Sequence, residues 1–203
     1  MVTVAGPSSK VCSRTRTPHA ELRQGSDQSP AYLDEHSVRA RATEVASTVV
    51  DPELPMLTLA DLGVLRRVDV AAEGSVEVAI TPTYSGCPAM ATMRDDLVRR
   101  LTEEGFTEVR VRVQLDPPWS TDDISARGRA ALRAAGISPP GPSTGLGSGG
   151  PVALTLGRVR RRVRCPRCGS ADVALTSEFG STACKALYRC RTCLEPFDHV
   201  KEI

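Results

Sequence analysis

From about residue 37, apolar residues recur every three to four positions. Val38, Ala42, Val45, Ala46 and Val49 share one face, with Arg41 and Glu44 off it. That spacing predicts an amphipathic helix. Ser37 suits its N-cap. Asp51-Pro52 ends it, because proline disfavours helical geometry in the residue before it. Residues 51–55 (Asp-Pro-Glu-Leu-Pro) then read as a rigid turn. The period next drops to two. Segment 64–70 closes on Val68, Asp69 and Val70, and segment 75–81 sets Val76, Val78 and Ile80 against Glu77 and Ala79. With Gly74 between them, the two predict an antiparallel hairpin.

After the loop 81–87, Pro88 suits a first helical position. Met90, Met93, Leu97 and Leu101 make a buried stripe there, with Arg94, Asp95, Arg99 and Arg100 facing out. Gly105 is the expected stop. A strand follows with Val109, Val111, Val113 and Leu115 inward and Arg110, Arg112 and Gln114 outward. Residues 116–122 form a turn, and a last helix runs to about Ala135 and stops at Gly136. The order helix, strand, strand, helix, strand, helix predicts an α+β fold. It is a small two-layer α/β sandwich with a mixed sheet, the strand–helix–strand crossover being parallel.

The flanks have no such period. Residues 1–36 are rich in Ser, Thr, Arg, Gln and Pro, which predicts a disordered N-terminal tail, with a docking tail as the alternative. Residues 139–151 (PPGPSTGLGSGGP) read as a flexible linker. The expected organisation is a tail over 1–36, a main domain over 37–138, the linker over 139–151, and a second module over 152–203. That last piece is too short to fold without a staple.

Composition narrows the possible roles. A net charge of +2 gives no global pull towards nucleic acid or membrane. Aromatics are only 3% of residues, so the core rests on Val, Leu, Ala and Met. No apolar run reaches membrane-span length, and the N-terminus has no secretory h-region. The expected compartment is the reducing cytoplasm, where paired cysteines read as metal ligands rather than disulfides.

The staple is then a metal. Cys165-Pro166-Arg167-Cys168 and Cys190-Arg191-Thr192-Cys193 are two CxxC knuckles separated by 21 residues. That separation suits a β-hairpin excursion, hence a zinc β-ribbon. Four thiolates suit zinc, with a rubredoxin-like iron site as the competitor. A site using all four leaves no position for water and is structural. Cys184 is an extra thiol in the same module: a buried residue, a substitute ligand or a redox thiol. The basic run 158–164 is either a solvated strand face or a contact for phosphates or an acidic partner. No aromatics interleave it, which argues against nucleic acid.

In the main domain, Cys87 is the suggestive residue. Placed at a helix mouth, it would gain from free N–H groups and the helix dipole, which favour a thiolate. Gly86 allows close backbone approach there. Such a thiol could ligate a metal or an iron–sulfur fragment, act as a nucleophile, or simply pack the helix start. No Ser-His-Asp set, phosphate loop or dinucleotide fingerprint is present, so no catalytic residue is assigned and an accessory factor is expected.

Residues 51–55, Asp61-Leu62-Gly63 and the stretch 81–89 (TPTYSGCPA) resemble the SufT-like family of iron–sulfur assembly domains. Trp119-Ser120-Thr121-Asp122, the stretch 179–190 and Glu195-Pro196-Phe197-Asp198 resemble the PaaD-like family, accessory subunits of bacterial phenylacetyl-CoA epoxidase systems. The resemblance covers about 37–203 without the linker. It implies a place in phenylacetate catabolism beside a ring-epoxidising monooxygenase. Its partners would be the other subunits, including the oxygenase and its iron–sulfur flavin reductase. It also implies a part in maturing iron or iron–sulfur centres. The family's motif cysteine corresponds to Cys87, its acidic turn to Asp51 and Glu53, and its loop threonine to Thr83. Implied cofactors are structural zinc and transiently held iron or an iron–sulfur cluster. Asp123 departs from the pattern, standing where these relatives carry a second aromatic. A purely structural subunit and a nucleic-acid-binding zinc ribbon are the alternatives.

Overall fold

A computed structural model describes residues 35–84, 86–143 and 163–202. Helix α1 spans Glu35–Ser47, strands β1 and β2 span Leu65–Val70 and Val76–Ile80, helix α2 spans Met90–Glu103 and strand β3 spans Val109–Val113. A single 3-10 turn at Thr121–Asp123 precedes α3, Ala126–Ala134. The second module has strands β4, Val173–Ser177, β5, Lys185–Cys190, and β6, Pro196–Val200. The expected tail up to residue 34, most of the linker (144–151) and positions 158–162 of the basic run lie outside the described residues.

The α+β expectation holds. The first sheet has the order β1-β2-β3, with β1 antiparallel to β2 and β2 parallel to β3. Alternation drives this layout: Val68, Val70, Val76, Val78 and Ile80 are all buried. Helix α1 packs on β1 and α2 on β3, and the two helices touch, giving the helix layer. Met93, Leu97 and Leu101 fill the core from α2, Ala42 and Ala46 from α1 and Leu132 from α3.

Five local expectations fail. Ala79, set with Glu77 on the outer face, is buried at 1% exposure in the middle strand of the sheet. Ser37 is not an N-cap, since α1 already begins at Glu35. The helix ends at Ser47 rather than at Asp51, with Thr48 and Val49 turning back through bonds to Val45 and Ala46 carbonyls. Helix α2 starts at Met90, not Pro88, and Ala89 is its N-cap. Val113 and Leu115 face out, 44% and 66% exposed, because β3 is an edge strand and leaves the sheet before Leu115.

Asp123 is well accommodated. Its carboxylate accepts the Ser120 N–H at 2.9 Å and pairs with Arg66 at 2.9 Å, completing a capping box on the 3-10 turn. Its own Cβ sits where a Cβ on Gly63 would come within 2.5 Å, and Gly63 has φ +69°. Glycine is therefore required there twice over, by conformation and by space. The buried Trp119 indole N–H donates to the Leu62 carbonyl at 2.7 Å, tying this segment to the same turn.

The second module is an antiparallel β4-β5-β6 sheet around Val163, Cys165, Ala186, Tyr188, Cys190 and Phe197. Tyr188 stacks on Phe197 and meets His199 edge-on. This sheet joins the first module through β6. Ser138 N–H donates to the Asp198 carbonyl at 2.8 Å and Val200 N–H donates to the Ser138 carbonyl at 3.0 Å. Val200 itself belongs to the core of the first module. The Gly141 N–H donates to Glu202, so the opening of the Pro/Gly/Ser stretch is bonded to the ribbon's end.

Candidate functional site

Each CxxC knuckle is a tight turn that aims two thiols inward. In the first, the Gly169 N–H donates to the Cys165 carbonyl and the Cys165 N–H to the Ser170 carbonyl, both at 2.9 Å. In the second, the Cys193 N–H approaches the Cys190 sulfur at 3.4 Å. The residue after each knuckle is left-handed, Gly169 at φ +74° and Leu194 at φ +64°. Ser170 and Thr192 hydroxyls meet at 2.8 Å and hold the two turns together.

All four sulfurs lie within 4.8 Å of one another, with Cys165–Cys193 at 3.7 Å and Cys168–Cys190 at 3.6 Å. Four sulfurs at about 2.3 Å from a central ion stand about 3.8 Å apart along a tetrahedron edge. The set therefore fits a tetrahedral metal ion. Within the set, Cys190 and Cys193 are shifted in opposite directions. The Cys193 N–H draws Cys190 down to about 6. Cys193 is pushed up to about 12, since desolvation and its three sulfur neighbours prevail over the Glu195 N–H. Four such groups ionise together only around a positive charge.

The second site is a cleft between the two modules, with a cavity volume of about 30 Å³, room for a water or two or a single ion. Asp51, Glu53, Thr83 and Cys87 line it from the first module, and Cys184 and Lys201 from the ribbon. Leu54, Leu62, Trp119 and Val200 make its apolar wall. The fold thus gathers the acidic turn, the loop threonine and the motif cysteine into one place. Gly86 does not line the cleft; its Cα sits under the Tyr84 ring, where a Cβ would come within 2.9 Å.

The acidic turn is built by Asp51. Its buried carboxylate accepts the Glu53 and Leu54 N–H groups, both at 2.8 Å. Burial nevertheless raises its pKa, against those two bonds and the nearby Lys185 ammonium. Lys185 is itself buried, and its Nζ reaches the Glu53 carbonyl at 3.5 Å.

The expectation of a ready thiolate at Cys87 is not met. Because α2 starts only at Met90, the cysteine stands ahead of the first turn, where the dipole acts weakly. Burial is the largest influence and pushes the thiol up, as do Glu53, Asp51 and Cys184, while the Ala89 N–H pulls it down. Cys184 is likewise raised, mainly by burial, despite its contact with the Thr182 hydroxyl at 3.1 Å.

Sequence reading missed Trp119 and Lys201 as parts of this site, and Lys185 as the support behind its acidic turn. Lys185 gave one signal, a lysine opening the apolar run Ala186-Leu187-Tyr188. The cross-module pairing that uses it has no local trace.

Residues 150–201 match the PaaD zinc beta ribbon domain and residues 39–113 match the iron–sulfur cluster assembly protein family. An Escherichia coli (strain K12) protein, provisionally named as a subunit of 1,2-phenylacetyl-CoA epoxidase, is 48% identical over 155 residues, 76% of this chain and 87% of that one. An Fe-S protein maturation auxiliary factor of Porphyromonas gingivalis is 35% identical over 38% of this chain and 74% of its own length. The Staphylococcus aureus auxiliary factor SufT is 33% identical over 41% of this chain and 96% of its own. These two relatives match only about two fifths of the chain, whereas the Escherichia coli protein matches most of it. This chain therefore belongs to the PaaD family of phenylacetyl-CoA epoxidase subunits, and joins an iron–sulfur assembly domain to a PaaD zinc ribbon.

Proposed function

We propose that this chain is a non-catalytic accessory subunit of a phenylacetyl-CoA 1,2-epoxidase system. It holds iron at Cys87 and so assists iron or iron–sulfur maturation of the oxygenase or of its iron–sulfur flavin reductase. The observation that carries this reading is the convergence of Cys87, Asp51, Glu53 and Thr83 on one small cleft. A thiol and carboxylates together suit a borderline cation such as Fe(II). The family matches of both modules support the same reading.

The ribbon cysteines hold zinc in a closed, structural site, which fits their four-sulfur geometry. The protein works in the cytoplasm, where its thiols stay reduced. Asp51 shapes the cleft, Cys87 binds the cargo, and Glu53 and Thr83 stand beside it as polar neighbours.

A second reading, a purely structural subunit with Cys87 as packing, draws on the half-buried thiol and its raised pKa. Metal analysis of anaerobically purified protein separates the two. Wild type and Cys87→Ser are expected to carry about one zinc each, the closed four-thiolate site being intact in both. Iron is expected in the wild type and absent from the variant. Equal iron in both, or undiminished iron in the client subunits of cells carrying only the variant, would overturn the assembly reading.

A further inference from the structure

Six described cysteines are free thiols, and four of them form the ribbon's metal set. The remaining two, Cys87 and Cys184, come from different modules and line the same cavity. We infer that Cys184 is a second ligand for the cargo held at Cys87, so that the cargo site is shared between the two modules and is complete only with the ribbon folded against the cleft. This rests on the reading of Cys87 as a cargo thiol.

Placement is the first support. The cavity holds about 30 Å³, so two thiols lining it share one small space. The Asp51 and Glu53 carboxylates push both thiols in the same direction, up. Cys184 is fixed where it stands. Its sulfur meets the Thr182 hydroxyl at 3.1 Å, and its carbonyl accepts the Lys201 N–H at 2.9 Å. The next residue, Lys185, is buried against the acidic turn and anchors the start of β5 to the first module.

The chemistry of the set is the second support. Two sulfurs with carboxylates nearby favour a thiophilic divalent ion over magnesium or calcium. Among the described residues, only the ribbon cysteines form a group of three or more donors close enough to enclose an ion. In the cleft, Cys87 and Cys184 line one cavity, and the other coordination positions fall to the cargo's remaining ligands. A closed tetrathiol site retains its metal; an open pair can release it. Binding is a simple exchange: a divalent ion forms two metal–sulfur bonds, and the two thiol protons go to solvent.

The test is an anaerobic titration of the full-length, zinc-loaded protein with Co(II), followed by thiolate-to-cobalt charge-transfer absorption and by zinc content. Wild type is expected to take up Co(II) beyond its zinc with the intensity of two sulfurs. Cys184→Ser is expected to halve that intensity and weaken binding roughly ten-fold or more, at least the cost of losing an outer-shell partner. Its zinc content is expected to be unchanged, which shows that the ribbon is folded; Cys184→Ala provides a second variant for the same comparison. If Cys184→Ser and Cys184→Ala titrate like wild type while Cys87→Ser loses binding, the inference is overturned and the Cys87 reading stands. If Cys87→Ser also titrates like wild type, both are overturned.

Discussion

At Cys87 the direction of the pKa shift sets how the site answers to pH. Burial, Glu53, Asp51 and Cys184 together hold the thiol above its ordinary range, against the Ala89 N–H. The folded pKa is raised, so this group's contribution to stability is fully present below the unfolded thiol pKa and is lost as pH rises through the folded value. Cargo loading runs the other way, because a cation must displace the proton. The cleft presents Asp51, Glu53 and Tyr84 from the first module and Cys184 and Lys201 from the ribbon, with Lys185 behind the acidic turn at the Glu53 carbonyl. The thiols gate a cation's entry, because each must give up its proton to bind. Co(II) affinity is therefore expected to rise between mildly acidic and mildly alkaline pH, by roughly ten-fold per pH unit for each proton released. A flat profile in the same titration would mean that thiols are not the ligands. The ribbon cysteines were legible because their spacing is their function. The state of Cys87 was not, because it depends on carboxylates and a second thiol that only the folded chain brings near.

Among the elements, the strands of the first module and the body of α2 were readable from periodicity alone. Val76, Val78 and Ile80 alternate into the core, and Met93, Leu97 and Leu101 repeat at helical spacing. The ends were harder. Asp51-Pro52 looked like a helix stop, yet its carboxylate builds the next turn by accepting two N–H bonds. Val113 and Leu115 continued a clean alternation past the point where the sheet gives cover. The second knuckle carries the clearest local cost. Leu194 occupies the left-handed position that Gly169 fills in the first knuckle, with its side chain 61% exposed. A β-carbon there costs about 1 kcal/mol, while glycine's extra freedom in the unfolded chain offsets part of the gain. Leu194→Gly is thus expected to stabilise the zinc-loaded ribbon by about 0.5 kcal/mol, read as a higher denaturant midpoint and slower zinc loss to a chelator. A lower midpoint would show that the leucine side chain holds more than the backbone strain costs.

For the whole molecule, sequence reading separated two modules with a linker between them, and the contacts that join them were invisible to it. They rest on single residues far apart in the chain: Val200 in the first module's core, Ser138 bridging to Asp198 and Val200, and Lys185 on the acidic turn. Such contacts make the ribbon's metal a support for the cleft as well as for the ribbon. Removing it leaves four clustered thiols with no charge to gather them. The knuckles then open, and β6 loses its place. Withdrawing Val200 from the core costs about 2 kcal/mol, which for a module of this size corresponds to a melting temperature lower by roughly 8–16 °C. The chain's one tryptophan reports the event directly, since Trp119 is buried at 5% exposure in the wall of the cleft. Chelation is expected to shift Trp119 emission to the red and to lower the melting transition of the first module along with the loss of ribbon structure. Restoring zinc is expected to reverse both changes. If the ribbon unfolds while Trp119 emission and the first module's transition stay fixed, the two modules are energetically independent, and the cleft does not need the ribbon to keep its shape.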